Sequence, residues 1–402
     1  MSSYQADIVI VGGGIAGLWT LARLRGLGYQ AILLEAETLG CQQTGASQGI
    51  IHGGTKYALT GKLTHSAQSI QKMPQRWKDC LNGQGEIDLS AAKKLSAHQY
   101  LWSNKNIASR LTGFFASKVM SSRMKHLSSK DFSAPFSHPD FSGDLYQLDE
   151  PVLDIQSVIE SIRQQFEAFV FQYQVTDIQP LVDGYKIETS TQDISVRAQK
   201  LVLTAGSGNE KLLNSLNFQQ PQMQRRPLYM PILKAKSSYL PMLYAHCLGA
   251  SALPKMTITS YPLANDEIAW YLGGEIAEKG VSRSLDEQIE AAKQELKKLM
   301  PWMDFSHCQW SALAIDRAEP KMHDASRPIE PAVFKENNVI TAWPVKLAMT
   351  PIMVDKIIAQ LEAISDKSDD SIENTTVNNL PPAQTTKVRT TRLPWQKVEH
   401  WL

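Results

Sequence analysis

A glycine-rich run near the start of the sequence has the residue types and the spacing that hold a dinucleotide. The residues of its GxGxxG pattern are Gly12, Gly14, Ile15, Ala16 and Gly17. The first glycine allows a tight turn, the second lets the backbone approach a pyrophosphate, and the third lets a helix pack closely on a strand. N–H groups at the start of that helix favour the phosphate charge. Glu35, 18 residues after Gly17, can accept hydrogen bonds from the hydroxyls of an adenosine ribose.

The elements around this run support the same interpretation. Ala6 to Val11 is a short, β-branched apolar segment that predicts a buried strand. Ile15 to Arg25 predicts a helix, which Gly26 and Gly28 end, and Ala31 to Glu35 predicts a second strand. This strand–helix–strand unit is about 30 residues long, the size of one βαβ crossover. The sequence therefore predicts a Rossmann-like α/β domain that starts within the first dozen residues.

The segment after Glu35 favours FAD over NAD. It is a second loop rich in glycine, serine and threonine, whereas a nicotinamide domain would more simply continue into another helix. Such a loop suits a longer cofactor, because the pyrophosphate and a tricyclic ring need continued backbone contact. The predicted cofactor contacts in it are Ala36, Thr44, Gly45, Ala46, Ser47, Gln48, Gly49 and Ile51. An NAD-dependent dehydrogenase stays open as an alternative.

The same loop resembles known flavoproteins. Gln43-Thr44-Gly45 with Gly49-Ile50-Ile51-His52 is similar to the loop of L-2-hydroxyglutarate dehydrogenases, and His52 to Tyr57 resembles FAD-dependent glycerol-3-phosphate dehydrogenases. Both belong to the superfamily of D-amino-acid oxidase and glycerol-3-phosphate dehydrogenase. The resemblance implies that FAD is the cofactor and that this loop follows the pyrophosphate to the flavin ring. It also implies that Val175 holds the adenine through its backbone, and that Ala205 and Gly206 lie near the pyrophosphate.

One segment departs from that superfamily. Many relatives have glycines before the final helix, whereas residues 341–351 contain none. Lys346 and Leu347 are in register with a Gly-Lys-Leu-Thr run of glycerol-3-phosphate dehydrogenases, where a lysine would stabilise the negative charge of reduced flavin. The alternative is a surface lysine. Thr350 is expected to cap the helix that follows, with Pro351 in its first turn.

Three further residues are candidates for substrate chemistry. His52 is the candidate base, because its side chain titrates near neutral pH and the residue ends the flavin loop; alternatively it only packs against the cofactor. The resemblance places Arg317 where relatives grip the substrate anion, and the alternative is a salt bridge to Asp316 or Glu319. Tyr57 is expected to line the same pocket. The aromatic residues of the second sheet are interpreted as core, namely Tyr244, His246 and Tyr271. The remaining histidines have no spacing typical of a metal site, so we predict none.

Length and composition indicate how the chain is divided into domains. A chain of 402 residues is expected to have more than one core. We predict a discontinuous FAD-binding domain of the glutathione-reductase type from residues 1–80, 150–220 and 310–365. Residues 81–149 and 221–309 would form a second α+β domain with an antiparallel sheet that binds substrate. The polar segment 366–402 is predicted to be a flexible tail, unless Trp395 and Trp401 dock on the protein or on a partner.

The function predicted from these features is the oxidation of a small anionic hydroxy compound, either a 2-hydroxy acid or a polyol phosphate. FAD would accept the hydride, and a quinone or oxygen would take the electrons. A D-amino-acid or secondary-amine oxidase is the first alternative, and a non-catalytic FAD-binding sensor or structural module is the second. Covalent attachment of FAD through His52 or Cys41 also stays open.

Charge and hydropathy limit the partners and the cellular location expected for this protein. A formal net charge of +1 gives no reason to expect nucleic acid as a partner. The sequence has no uninterrupted apolar run of about 18 residues, so membrane attachment is expected to be peripheral at most. The four cysteines are scattered without CxxC spacing, which is typical of reduced thiols. These features predict a cytoplasmic protein, with attachment to the cytoplasmic face of a membrane left open.

Overall fold

Two eight-stranded β-sheets and one two-stranded sheet organise the part of the chain that the structure describes. This computed structural model describes residues 2–54, 70–104, 124–191, 194–248, 253–323, 328–365 and 388–402. The strands are β1 (Ser2–Val11), β2 (Ala31–Glu35), β3 (Lys94–Ser96), β4 (Gln99–Asn104), β5 (Met124–His126), β6 (Gly143–Leu148), β7 (Val152–Leu153), β8 (Val170–Gln172), β9 (Val175–Leu181), β10 (Gly184–Thr189), β11 (Ile194–Leu203), β12 (Met223–Lys236), β13 (Ala245–Cys247), β14 (Met256–Pro262), β15 (Glu267–Gly273), β16 (Gln309–Pro320), β17 (Ala332–Glu336) and β18 (Val339–Trp343).

The helices connect these strands or cover the sheets. They are α1 (Ile15–Gly26), α2 (Met73–Leu81), α3 (Ile155–Phe166), α4 (Asn209–Ser215), α5 (Glu275–Glu278), α6 (Leu285–Leu299), α7 (Thr350–Ser365) and α8 (Pro394–Lys397). None of these helices is long and apolar enough to cross a membrane.

The first sheet carries the glycine-rich turn. Its strand order is β17-β18-β11-β1-β2-β8, and the antiparallel hairpin β9–β10 pairs with β11. β1 pairs in parallel with both β2 and β11, as a strand–helix–strand unit requires. The predicted Rossmann-like α/β architecture is therefore confirmed.

Both faces of β1 are buried, because successive side chains of a strand point to opposite sides. Ile8 and Ile10 belong to the same buried cluster as the apolar faces of α1, α3 and α7. Val9 and Val11 belong to the cluster that contains the hairpin β9–β10. Each such side chain contributes ~1.5–3 kcal/mol when it leaves water. This two-sided burial explains why the segment is uniformly apolar instead of alternating.

The second sheet is the predicted antiparallel one. Its strand order is β16-β12-β15-β14-β13-β4-β6-β5, and every pair in this path is antiparallel except β13–β4. Helix α6 covers one face of it through Ile289 and Leu296. The other face meets the loop after β2, where the Tyr271 hydroxyl donates to the Ala46 carbonyl at 3.0 Å.

The second sheet extends past residue 310, the position of the predicted domain boundary. β16 pairs along its whole length with β12, so residues 309–320 belong to the second sheet. The chain returns to the first sheet only at β17. The pairing joins segments about 90 residues apart, and no local pattern in the sequence could indicate it. The division into an FAD-binding and a substrate domain stays a proposal.

The C-terminal residues correct a second prediction. Residues 388–402 pack against the protein, so the expectation of a flexible tail is wrong for them, while residues 366–387 lie outside the described ranges. The Thr391 N–H donates to the Leu39 carbonyl at 2.9 Å, and the backbones of Leu402 and Trp310 exchange two hydrogen bonds. Trp395 lies against Tyr261 with ring centroids 4.4 Å apart. The docking alternative therefore holds for this segment.

Candidate functional site

A cavity of about 580 Å³ lies between the carboxyl end of β1 and the facing side of the second sheet. Most of the residues predicted from the sequence line it, namely Gly12, Gly14, Ile15, Ala16, Glu35, Ala36, Thr44, Ala46, Ser47, Gln48, Gly49, His52, Val175, Ala205, Gly206, Arg317, Lys346 and Leu347. Gly17, Gly45 and Ile51 are not among its lining residues. Tyr57 lies outside the described residues.

The turn after β1 forms one end of the cavity. Gly12 has φ +110°, and a Cβ there would lie 2.6 Å from the backbone of Ala205. Gly14 is the N-cap of α1 and has no side chain that could bond the free N–H groups of the first turn, so these groups need other partners. The Ile15 N–H donates to Thr44 Oγ1 at 3.1 Å, which holds the second loop over the first turn of α1. This arrangement is a cradle for an anionic group.

A buried hydroxyl tests whether a cofactor fits this cradle. Ser47 Oγ is buried and has no hydrogen-bond partner among the described residues, although Ser47 lines the cavity. A buried polar group without a partner costs about 1–3 kcal/mol. A ligand with acceptor oxygens, such as a dinucleotide, would satisfy it. The residues present therefore fit the predicted cofactor.

Glu35, the residue predicted to accept from the ribose hydroxyls, ends β2 and lines the cavity. Its carboxylate accepts the N–H of Gly13 at 2.5 Å and that of Glu37 at 2.9 Å. Burial raises the pKa of the Glu35 carboxyl above its usual value, and these N–H bonds act in the opposite direction. The cavity continues past Glu35 to Tyr173 and to Val175, the residue that the resemblance assigns to adenine.

His52 lines the cavity and is half-buried. The Ile51 N–H donates to the Pro151 carbonyl at 2.9 Å, and the Gly53 N–H donates to the Glu150 carboxylate at 2.7 Å. His52 is therefore anchored through the backbone on both sides. Glu150 is buried, also accepts from the Gln99 amide at 2.5 Å, and lines the cavity itself. Sequence reasoning missed Glu150, which lies two residues before β7.

Arg317 reaches the cavity from β16, and neither predicted alternative partner holds it. Its Nε donates to the Arg226 carbonyl at 3.0 Å, and its Nη2 lies 3.4 Å from a Glu278 carboxylate oxygen. Asp316 pairs with Arg225, and Glu319 pairs with Arg226. The salt-bridge alternative for Arg317 therefore names the wrong carboxylates. The nearby carboxylate is that of Glu278 on α5, and β12 supplies the Arg226 carbonyl.

Lys346 is a buried residue, and the surface-lysine alternative is wrong. Its side chain is 8% exposed, lines the cavity and donates to the Ile329 carbonyl at 3.3 Å. The preceding Val345 has φ +63°, a conformation that glycine adopts without cost and a β-branched residue rarely takes. The backbone thus turns in the way that a glycine would allow, although this segment has none.

The expected cap of α7 is also wrong. The Thr350 hydroxyl donates to the Leu347 carbonyl at 2.8 Å, whereas an N-cap side chain would accept an N–H. A 3-10 turn over Leu347–Met349 precedes the helix, so the helical segment effectively starts directly after Lys346.

His246 was interpreted as core, yet it lines the cavity from β13. It is 8% exposed, and its Nδ1 lies 2.9 Å from Thr257 Oγ1 on the neighbouring strand. No signal in the sequence indicated this position, because an aromatic residue on a strand is more often part of the core than of a site.

Cys41 also lines the cavity, and its thiol is poorly suited to attack a cofactor. Burial, with Glu35 and Glu37 nearby, raises its pKa to about 11. The reactive thiolate is therefore scarce at neutral pH and increases as the pH rises toward that value. We expect alkylation of Cys41 by iodoacetamide at pH 7 to be at least tenfold slower than that of glutathione, as measured by site-resolved mass spectrometry. Equal rates at pH 7 would contradict the raised pKa.

Comparison with known proteins agrees with this geometry. The family model described as FAD dependent oxidoreductase (DAO) matches residues 7–336. A probable FAD-dependent oxidoreductase of Pseudomonas aeruginosa is 44% identical over 360 residues, which cover 89% of this chain and 91% of that protein. A crystal structure of an FAD-dependent oxidoreductase from Pseudomonas aeruginosa has a TM-score of 0.79 at 35% identity, covering 98% of this chain and 99% of that one.

A more distant structure shares the fold. The L-α-glycerophosphate oxidase of Mycoplasma pneumoniae, solved with FAD bound, has a TM-score of 0.66 at 13% identity and covers 90% of this chain and 95% of that one. The NAD-dependent and non-catalytic alternatives are set aside by the family match and the close relative. The chain belongs to the DAO family of FAD-dependent oxidoreductases, and its cofactor is FAD.

Proposed function

We propose that the protein oxidises a small anionic hydroxy compound, a 2-hydroxy acid or a polyol phosphate. The observation that carries this proposal is that His52, Arg317 and Lys346 line one cavity together with the cofactor cradle. To oxidise such a substrate, the protein must provide a base for the hydroxyl proton and a group that binds the anion. When bound, FAD would supply the hydride acceptor, and a quinone or oxygen would take the electrons.

The cofactor contacts are part of the proposal. The turn over Gly12–Gly17 and the Ser47 hydroxyl would hold the pyrophosphate, and Glu35 would hold the ribose. The backbone near Val175 would hold the adenine. Lys346 would place a positive charge against the cofactor, and its burial increases the effect of that charge.

The substrate contacts follow from the groups on the cavity wall. Arg317 would bind the substrate anion through guanidinium N–H groups, and its bond to the Arg226 carbonyl fixes the plane of that fork. His52 would accept the proton of the substrate hydroxyl at its imidazole. The hydrogen bonds of Ile51 and Gly53 keep the backbone of His52 in place while that proton moves.

The proposed location is the cytoplasm, with peripheral contact to a membrane face if a quinone takes the electrons. The four cysteines, all within the described ranges, are free thiols, as expected in a reducing compartment.

The reaction is tested with the FAD-loaded full chain mixed anaerobically with candidate substrates. We expect 2-hydroxy acids or glycerol phosphates to bleach the visible flavin absorbance, while D-amino acids and secondary amines leave it unchanged. Bleaching by amines and not by hydroxy compounds would overturn the proposal in favour of an amine oxidase.

Arg317→Lys is expected to raise KM for the accepted substrate about 10–100-fold. A lysine keeps the charge but loses the planar fork, and a hydrogen bond to a charged group contributes about 1.5–3 kcal/mol. Steady-state kinetics on the FAD-loaded variant measure this effect. Arg225→Lys, on the exposed end of β12, is the matched control. An unchanged KM in Arg317→Lys would remove Arg317 from the substrate site.

Gly17→Ala is expected to lower the affinity for FAD at least tenfold. A Cβ at this position would lie 1.9 Å from the Gly12 carbonyl oxygen, so the turn that cradles the pyrophosphate would have to open. The ratio of FAD to protein after purification, and FAD titration by fluorescence quenching, measure the effect. Gly26→Ala in the same helix is the control, since nothing lies within 4 Å of its Cβ position. Equal FAD content in the two variants would contradict the packing role of Gly17.

A further inference from the structure

We infer that the substrate is a 2-hydroxy monocarboxylic acid with an apolar side chain, and not a polyol phosphate. This inference rests on the proposed function and selects between its two substrate classes. Two independent observations support it, namely the apolar wall that the second sheet presents to the cavity and the balance of charges around that cavity.

The wall of the cavity on the side of the second sheet is mainly aliphatic. Six large side chains form it, five from the four strands β4, β6, β12 and β16 and one that follows β13, namely Leu101, Leu148, Leu228, Met230, Ile315 and Leu248. Leu101, Leu148 and Leu248 form a buried cluster of their own, each less than 5% exposed. Such a surface favours a ligand that removes apolar area from water, at about 25 cal/mol per Å².

The uncharged polar side chains of the described strands on this wall are few, and they hydrogen-bond to each other. Leu101, His246, Thr257 and Gly273 lie in register across β4, β13, β14 and β15 and form one row over the cavity. In this row, the His246 ring and the Thr257 hydroxyl lie 2.9 Å apart and bind each other. A polyol buries several hydroxyls, and each one without a partner costs about 1–3 kcal/mol. An aliphatic side chain has no such cost.

The charges around the cavity point the same way. The described lining residues include the cations Lys211, Arg317 and Lys346 and the carboxylates Glu35, Glu37, Glu150 and Glu278. The Arg317 guanidinium is already close to one of these carboxylates, Glu278, at 3.4 Å. FAD adds the negative charge of its pyrophosphate. A single carboxylate matches one guanidinium, whereas a phosphate dianion would meet net repulsion.

The first experiment compares 2-hydroxy monocarboxylates, whose apolar side chains increase in size, with a polyol phosphate. The FAD-loaded full chain is mixed anaerobically with glycolate, lactate, 2-hydroxy-4-methylpentanoate and glycerol 3-phosphate, and kcat/KM is taken from the bleaching of flavin. We expect kcat/KM to rise at least tenfold from glycolate to 2-hydroxy-4-methylpentanoate, with glycerol 3-phosphate below both. Preference for glycerol 3-phosphate would overturn this inference and leave the proposed function intact. Oxidation of amines alone would overturn the proposed function itself.

A pair of variants on one strand tests whether the wall contacts the substrate. Leu148 and Leu145 are both buried on β6, but Leu148 lines the cavity while Leu145 belongs to the core on the opposite face. We expect Leu148→Ala to reduce the ratio of kcat/KM for 2-hydroxy-4-methylpentanoate over lactate about tenfold, and Leu145→Ala to leave that ratio unchanged. Calorimetric binding of the inert analogue 4-methylpentanoate should weaken only in Leu148→Ala. A Leu148→Ala variant that loses FAD affinity but keeps the substrate ratio would overturn the inference, since the wall would then pack on the cofactor.

Discussion

His52→Asn is expected to slow the reduction of bound flavin by a hydroxy substrate about 10²–10⁴-fold, the range typical of general-base catalysis. The imidazole lines the cavity, and backbone hydrogen bonds on either side fix its segment. Asparagine keeps a similar size and polarity but cannot accept a proton near neutral pH. FAD content and thermal stability should stay close to those of the unchanged protein, because His52 is only half-buried.

Stopped-flow bleaching measures the rate of flavin reduction. Imidazole added to the buffer should partly restore that rate in the His52→Asn variant. A base that has been removed is partly replaced by a diffusible one, whereas a lost packing contact is not. His98→Asn serves as the control, since His98 is half-buried outside the lining of the cavity. If His52→Asn reduces its flavin at the original rate, the hydroxyl proton leaves by another route, and an amine substrate that arrives neutral becomes the better explanation.

The sequence was sufficient for the part of the site that is local in the chain. The GxGxxG run, its strand–helix–strand frame and Glu35 all lie within 30 residues, and their spacing reflects the geometry of one βαβ unit. The later candidates Val175, Ala205 and Lys346 came from the resemblance, and all three line the same cavity.

Residue patterns alone were insufficient wherever the position of a residue depends on a distant strand, and Arg317 was predicted only through the resemblance. Arg317 faces the cavity because β16 pairs with β12, about 90 residues earlier, and the same pairing places residues 309–320 in the second sheet. His246 depends on β4 and β14 to bring it over the cavity. Lys346 is buried by contacts that its polar type does not predict, and Val345 adopts the glycine-like turn without a glycine.

The C-terminal segment 388–402 departs most from the expectation of the sequence. It lies against the loop after β2, residues 36–52, which we call the cofactor loop. The Leu39 N–H donates to the Arg389 carbonyl at 2.8 Å, and the Lys397 ammonium donates to the Cys41 carbonyl at 2.8 Å. Thr391 is buried, and its methyl group lies 2.4 Å from the position that a Cβ on Gly45 would occupy. The segment therefore supports, from behind, the loop that carries Thr44 and Ser47.

Deleting residues 388–402 is accordingly expected to weaken FAD binding at least tenfold and to lower the melting temperature by roughly 5–10 °C. Val388 and Leu393 are buried and would each contribute ~1.5–3 kcal/mol, while the chain entropy regained on release offsets part of this loss. FAD titration and thermal unfolding measure the two effects separately. Removing only Trp401 and Leu402 is the matched control, because it breaks the contacts to Trp310 and leaves those to the cofactor loop. This shorter deletion should lower the melting temperature but keep FAD affinity. If the full deletion also keeps FAD affinity, the segment stabilises the fold without supporting the cofactor loop.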